Sequence, residues 1–148
     1  MKMITIIIYI FLFIHCAFSS CVITDANFKG YVNDWFTDPT NHSCGAVIGG
    51  WDVSNVTDMS YVFCGFSALS SCRSNRVNFN EDLSEWNTSS VTSLDGTFDG
   101  ATSFNGNLSG WDTSSVYSLG LTFCNATSFN GDVSGWDTSS VTSLDGTF

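Results

Sequence analysis

The residues of this chain most capable of chemistry are the five cysteines that follow its apolar N-terminal segment. Cys64 and Cys124 hold the same position in two non-adjacent copies of a tandem repeat. Stacking would separate them by about 10 Å, beyond the ~7 Å Cα limit for a disulfide. The expected pairs are therefore Cys21–Cys44, which would tie the N-terminal segment, and Cys64–Cys72, which would close an insertion, leaving Cys124 unpaired.

The chain lacks the residue sets that catalysis requires. His42 is the one histidine after the N-terminal segment, and no repeated acid or nucleophile accompanies it as a general base would need. The many serines occupy repeat positions without the nucleophile-elbow pattern. We therefore expect no enzyme activity, no catalytic residue and no cofactor.

One acidic column could hold a metal. Asp52, Asn87, Asp112 and Asp137 share a repeat position, so stacking would place them ~4.8 Å apart, and Ca²⁺ prefers such oxygen-rich sets. The alternative is that each side chain caps the helical segment that follows, a role that also suits Asn87. We favour capping and predict no metal site.

Threonine and asparagine form further columns. Exposed threonine columns can bind ice or glycans, whereas half-buried ones simply pack; we favour packing, with Thr113 expected to point outward. The threonine columns are Thr88, Thr113, Thr138 and Thr97, Thr122, Thr147. A third column has an amide that both donates and accepts, so it is expected to form a hydrogen-bonded ladder: Asn80, Asn105 and Asn130.

Five asparagines lie in N-glycosylation sequons, which would be used if the chain passes through an endoplasmic reticulum. They are Asn41, Asn55, Asn87, Asn107 and Asn125.

The N-terminus has the order of a secretory signal peptide. Lys2 precedes an apolar run at 3–14, and small residues follow at Ala17 and Ser19. The run is shorter than the ~20 residues of a membrane span. We expect cleavage after Ser19 and a secreted or extracellular-surface protein with no membrane insertion. In the alternative, 18–21 is a loose lipobox and Cys21 is a lipid anchor.

The charge balance excludes several classes of partner. The whole chain has 4 basic against 14 acidic side chains. Nucleic acid binding depends on Lys and Arg that displace counterions, and anionic membranes require the same. We therefore expect neither nucleic acid nor lipid to be a direct partner.

A tandem repeat organises the remainder of the chain. Trp86, Trp111 and Trp136 are 25 residues apart, and Trp51 lies 35 residues before Trp86 because of an insertion near 69–77. A fixed period of this length indicates stacked repeat units. We divide the chain into a signal peptide at 1–19, an N-terminal cap at 20–48 and repeats at 49–148, with the end inside a repeat suggesting a fragment.

The spacing within one unit favours a solenoid. Val116, Leu119 and Phe123 follow a helical i, i+3, i+7 pattern, and 129–134 favours a turn and a short strand. We predict a leucine-rich-repeat-like right-handed coil with short strands on one side, short helical or 3-10 arms on the other, and a short helical N-terminal cap. The predicted core is Trp86, Val91, Leu94, Phe98, Phe104, Leu108, Trp111, Val116, Leu119, Phe123, Phe129, Val133 and Trp136.

The motif Phe-Asn-Gly-Asp/Asn-Leu/Val-Ser-x-Trp-Asp-Thr-Ser-Ser-Val-Thr-Ser-Leu, followed by Gly-Thr-Phe, resembles the repeat of the BspA-like leucine-rich-repeat surface proteins, in the ~25-residue variant first seen in mycoplasma lipoproteins. The resemblance covers 49–148. It implies a secreted or surface interaction module, often adhesive, with no catalytic residues.

These observations favour an extracellular binding or adhesion module for a protein or glycan. The alternative is a wall or matrix protein that associates with itself. A threonine-based ice binder is a third class.

Overall fold

The computed structural model describes residues 21–66 and 70–148; the expected signal peptide lies outside these ranges. One α-helix is present among them, α1 at Phe28–Thr37, and it ends two residues before Pro39, which cannot continue a helix. Three short 3-10 turns lie at Pro39–Asn41, Ile48–Gly50 and Ser74–Arg76. The repeats that follow contain turns and single-residue bridges.

Successive repeats contact each other in register. The residue seven positions after each tryptophan forms an isolated parallel β-bridge with its equivalent in the next repeat: Asp58 with Ser93, Ser93 with Ser118, and Ser118 with Ser143. The amide just after each bridge residue donates to the next repeat, as from Leu94 N to Ser118 O at 3.0 Å, and the amide just before it donates to the preceding repeat, as from Tyr117 N to Thr92 O at 2.9 Å. The repeats therefore lie side by side with equivalent residues adjacent.

The predicted leucine-rich-repeat solenoid is wrong. No strand longer than one bridge residue is present in the described ranges, 116–123 is not a helix, and 129–134 is not a strand. The amides alternate between two kinds of partner: Phe98 N donates across to Thr122 O at 2.9 Å, whereas Asp99 N donates back to Gly96 O at 3.1 Å. A backbone whose amides alternate in this way is neither a helix nor a sheet.

Positive φ angles enforce this alternation. Gly96 and Gly100 have φ of 58° and 69°, and the equivalent Leu121 and Asn125 have φ of 53° and 56°. Left-handed residues four positions apart interrupt any α-helix, although apolar side chains still recur every three to four residues. The i, i+3, i+7 pattern therefore marks a buried face without marking a helix.

The core consists of aromatic columns that run through the repeats. The rings of Trp86 and Trp111 are parallel with centroids 6.3 Å apart, those of Phe98 and Phe123 are 5.6 Å apart, and Phe104 lies 4.0 Å from Phe98 in the same repeat. The predicted core residues from Trp86 to Phe123 are buried. The last ones, whose neighbouring repeat is incomplete, are half-buried: Phe129, Val133 and Trp136.

Three tryptophans, Trp86, Trp111 and Trp136, also donate a hydrogen bond to the backbone carbonyl that lies three residues before the preceding tryptophan. The Nε1–H of Trp111 donates to Leu83 O at 3.1 Å, and the same carbonyl accepts the backbone N–H of Trp86 at 3.1 Å. Because a carbonyl has two lone pairs, both bonds form, and no indole N–H is buried without an acceptor. The same arrangement recurs with Trp86 on Ile48 and with Trp136 on Leu108.

The N-terminal segment packs against the first repeat. α1 buries Phe28, Val32 and Trp35, which are spaced i, i+4 and i+7, and the Phe28 ring lies edge-on to Trp86 with centroids 5.8 Å apart. The segment is joined by the Cys21–Cys44 disulfide, and Cys64–Cys72 closes the insertion; these are the two pairs expected from the sequence, with Cα separations of 5.1 and 4.7 Å.

Replacement of a central ring tests the aromatic core. Phe104→Ala should lower the free energy of unfolding by about 3–5 kcal/mol, because it removes a fully buried ring that stacks on three others. Tyr117→Ala is the control, since Tyr117 is a 52% exposed aromatic residue of an interior repeat, and it should cost less than about 1 kcal/mol. Urea unfolding followed by tryptophan fluorescence measures both, and equal losses would contradict the assigned core.

Candidate binding surface

Two rows of exposed acidic or amide side chains flank the tryptophans in sequence, and we call them the acidic rows. The first row is Asp52, Asn87, Asp112 and Asp137; the second is Asp82, Asn107 and Asp132. In every member, Oδ1 accepts a hydrogen bond from the backbone N–H of the serine two residues later, at 2.9–3.2 Å. The rows are therefore held by local turns.

These turns correct the predicted capping role, because no helix follows any of the row residues. Each forms an Asx turn, in which the side chain satisfies an amide of its own loop. In Asp112, Oδ1 also accepts the Ser114 hydroxyl at 2.7 Å. The second carboxylate oxygen, Oδ2, makes no hydrogen bond within the described residues and faces solvent.

Hydrogen bonding keeps the rows ionised. The bonds from Ser114 lower the pKa of Asp112 below its usual value, although the neighbouring Asp137 opposes the shift. The pKa of Asp137 is lowered in the same way by Ser139, and that of Asp132 by Ser134. These hydrogen bonds therefore favour the ionised form of the aspartates in the rows.

The threonine columns do not form an exposed face. Thr88 and Thr113 are buried, and each hydroxyl donates to the next repeat, as from Thr113 Oγ1 to Asp137 O at 3.0 Å. Thr97 and Thr122 are fully buried against backbone carbonyls. The expectation that Thr113 points outward is wrong, and the ice-binding alternative loses its structural basis.

The asparagine ladder is confirmed. Asn105 N donates to Asn80 Oδ1 at 2.9 Å, and Asn130 N donates to Asn105 Oδ1 at 2.8 Å. The five sequon asparagines are exposed, so glycans would have access to each: Asn41, Asn55, Asn87, Asn107 and Asn125.

The structure brings three potential metal ligands together, but their chemistry does not suit a metal. The sulfurs of Cys64 and Cys72 and the Asp99 carboxylate lie within 4.8 Å of one another. Both sulfurs belong to the disulfide, so neither is a thiolate. Burial raises the pKa of Asp99, and burial together with Asp99 raises that of Cys124, so the thiol stays protonated.

His42 is a packing residue. Its ring stacks on Trp51 with centroids 4.7 Å apart, and Nδ1 accepts the Cys44 N–H at 3.1 Å. Both the ring face and Nδ1 are therefore occupied by structural contacts.

Sequence reasoning missed the role of Asp25. Its carboxylate accepts hydrogen bonds from Thr57 N at 2.7 Å, Thr57 Oγ1 at 2.6 Å and Asp58 N at 3.1 Å. In the next repeat the equivalent amides, Thr92 N and Ser93 N, donate to Thr57 O. Asp25 therefore replaces the backbone acceptor that a preceding repeat would provide.

Within the part of the chain that the structure describes, no helix has the length and apolar character needed to cross a bilayer.

Comparison with known proteins gives a family assignment. A family model described as "Mycoplasma protein of unknown function, DUF285" matches residues 31–148. No curated protein and no solved structure matches the chain.

The buried threonine column can be tested with an isosteric change. Thr113→Val should lower the free energy of unfolding by about 1 kcal/mol, because the hydrogen bond to Asp137 O is lost while the side-chain volume is kept. Ser115→Ala removes an exposed hydroxyl of the same repeat that makes no hydrogen bond within the described residues, and it should stay within about 0.5 kcal/mol of wild type. Chemical denaturation measures both, and equal effects would contradict the assigned burial.

A pH-dependent experiment tests Asp25. Burial alone raises its pKa, but the hydrogen bonds from Thr57 and Asp58 outweigh burial, so the folded pKa lies below the usual 3.8. A lowered folded pKa gives stability that is present above pH 3.8 and lost as the pH falls through the folded value. Asp25→Ala should therefore lower the free energy of unfolding by about 1–3 kcal/mol at neutral pH. This loss should become progressively smaller as the pH falls below 3.8, because the wild-type carboxylate is then protonated. A difference that is independent of pH would contradict the role of the carboxylate.

Proposed function

Because the chain belongs to the DUF285 family, whose description assigns no function, we propose from the chain's own geometry that it is a secreted or cell-surface binding module. The acidic rows are the contact surface, and the partner is an extracellular protein or glycan.

The observation that carries this proposal is the fixed geometry of the rows. Each row residue is exposed, yet its side chain is held by a serine amide, and in Asn87, Asn107 and Asp112 by the serine hydroxyl as well. Side chains that are ordered before binding lose little conformational entropy when a partner arrives. The free Oδ2 atoms of the five aspartates can accept hydrogen bonds from hydroxyl, ammonium or guanidinium groups, whereas Nδ2 of Asn87 and Asn107 can only donate.

The charge of the chain limits the partner and weakens the alternative of a self-associating matrix protein. After Arg76 the chain has acidic side chains and no basic ones. Identical copies would repel each other through this surface, whereas a neutral or cationic partner would not.

Extracellular location is supported by the N-terminal sequence and by the two disulfides, which persist in oxidising compartments. In this pairing the Cys21 sulfur is bonded to Cys44 and is not available for a lipid thioether. The resemblance of the repeat motif to BspA-like surface proteins supports an adhesive role, although the fold expected from that resemblance does not apply.

Removing three of the five negative charges of the rows tests the proposal without disturbing the turns. The triple variant Asp112→Asn, Asp132→Asn and Asp137→Asn keeps every Oδ1 acceptor, because Asn87 and Asn107 already make these bonds at equivalent positions. Each change creates an Asn-x-Ser sequon, so all proteins are produced in a host without N-glycosylation. We expect unchanged stability and at least about tenfold weaker binding to whichever probes the wild type binds among cellulose, chitosan and poly-lysine. Sedimentation with the polysaccharides and calorimetry with the polypeptide measure this.

A matched control removes three negative charges away from the rows. Asp34, Glu81 and Glu85 are exposed and lie outside both rows. The variant Asp34→Asn, Glu81→Gln and Glu85→Gln should bind like the wild type apart from a small salt-dependent change. Equal losses in the two triple variants would show that total charge, not the rows, controls binding. Micromolar self-association of the wild type without binding to any probe would favour the matrix alternative.

A further inference from the structure

All basic side chains of the described residues line one pocket, in a chain that is otherwise acidic. Lys29 of α1, Arg73 and Arg76 of the insertion border a cavity of about 100 Å³, together with Asn33 and the Tyr61 side chain. They come from segments that are distant in sequence, so the cluster exists only after folding. The insertion that produces it is specific to the first repeat.

Arg76 is buried without a counter-ion. It is 3% exposed, its Nη2 donates to Asn33 Oδ1, and its guanidinium lies 5.0 Å from the centroid of the Phe36 ring. No carboxylate within the described ranges pairs with it, and its buried Nε has no hydrogen-bond partner there. Buried charges are normally paired, so an arginine in this state is an exception that requires an explanation.

The other two basic residues add positive charge near Arg76. Arg73 is exposed, and its Nη1 donates to Ser70 O at 3.2 Å, whereas Lys29 pairs with Asp58 at 2.8 Å. The pocket is therefore lined by three positive side chains and by no carboxylate, and Asp58 lies outside its lining. Burial, followed by the repulsion from Arg73, lowers the pKa of Arg76 to about 10, the direction expected for an uncompensated cation.

We propose that this pocket binds a small oxyanion, a sulfate or phosphate group, held by Arg76 and Arg73 with support from Lys29. Guanidinium groups present N–H donors in a planar fork that matches the oxygens of such anions, and a bound anion supplies the charge that Arg76 lacks.

The size of the cavity and the net charge of the chain define the ligand further. A cavity of about 100 Å³ accommodates one oxyanion group and no long segment of a polymer. A polyanion would also meet the repulsion of the 14 acidic side chains. The ligand is therefore a free inorganic anion or a small molecule with one such group. This site is separate from the acidic rows and does not depend on the function proposed for them.

Titration at constant ionic strength tests the proposal. Sodium sulfate, sodium phosphate and glucose 6-sulfate are each titrated into ¹⁵N-labelled protein, with sodium chloride adjusted to keep the ionic strength constant. Saturable one-to-one shifts of the arginine Nε–Hε signals are expected for at least one of these anions. If the sugar ester binds more tightly than inorganic sulfate, the source is an esterified small molecule; equal affinities indicate the free anion. Either result supports the site.

Variants separate the site from general salt effects. Arg73→Gln affects an exposed side chain, so the protein should remain folded, and the dissociation constant should rise about tenfold. Ser128→Asp changes the net charge by the same amount at an exposed residue of a distant repeat and should leave affinity nearly unchanged. Saturable shifts are the readout because sulfate also stabilises proteins without binding to a specific site. Absence of saturable shifts for all three anions, or equal affinity in the wild type and Arg73→Gln, would overturn the proposal.

Discussion

The rest of the structure depends on the tryptophan that joins one repeat to the next. Its ring stacks on the preceding tryptophan, and its indole N–H donates to a carbonyl that also accepts the backbone N–H of that tryptophan. Burial of the ring is therefore possible without an unsatisfied donor, and the bond fixes the register between repeats. A shift of register by a few residues would break the indole bond and misalign the phenylalanine columns at the same time.

The surface follows from that register. Once equivalent residues are adjacent, a side chain that occurs once in the repeat becomes a row, and the local Asx turn sets its orientation. In the interior the repeated polar side chains are hydroxyls that no partner can reach, because Thr97 and Thr122 are buried and donate to backbone carbonyls. One repeated sequence thus produces a buried column of hydrogen-bonded hydroxyls inside and an acidic row outside, and of the two only the row is available to a partner.

The first repeat differs because it has no preceding repeat. Asp25 supplies acceptors to the amides of Thr57 and Asp58, while α1 covers the apolar side with Phe28 and its neighbours. The insertion, closed by Cys64–Cys72, places Arg76 beside α1. The start of the array is therefore the one place in the described residues where positive charge collects and where repeat periodicity has no influence.

The sequence by itself determined the repeat period, the apolar face that is buried from Trp86 to Phe123 and the disulfide pairs, because these depend on spacing that the chain shows directly. The asparagine ladder followed for the same reason, since one amide per repeat must meet its copy. The secondary structure did not follow: apolar residues every three to four positions fit a helix as well as the alternating turns that form here, and the φ values of Leu121 and Asn125 decide between them. Only the tertiary structure placed Thr113 inside, where the next repeat provides its acceptor, and only it brought Lys29, Arg73 and Arg76 to one cavity, because contacts between distant segments have no periodic signal.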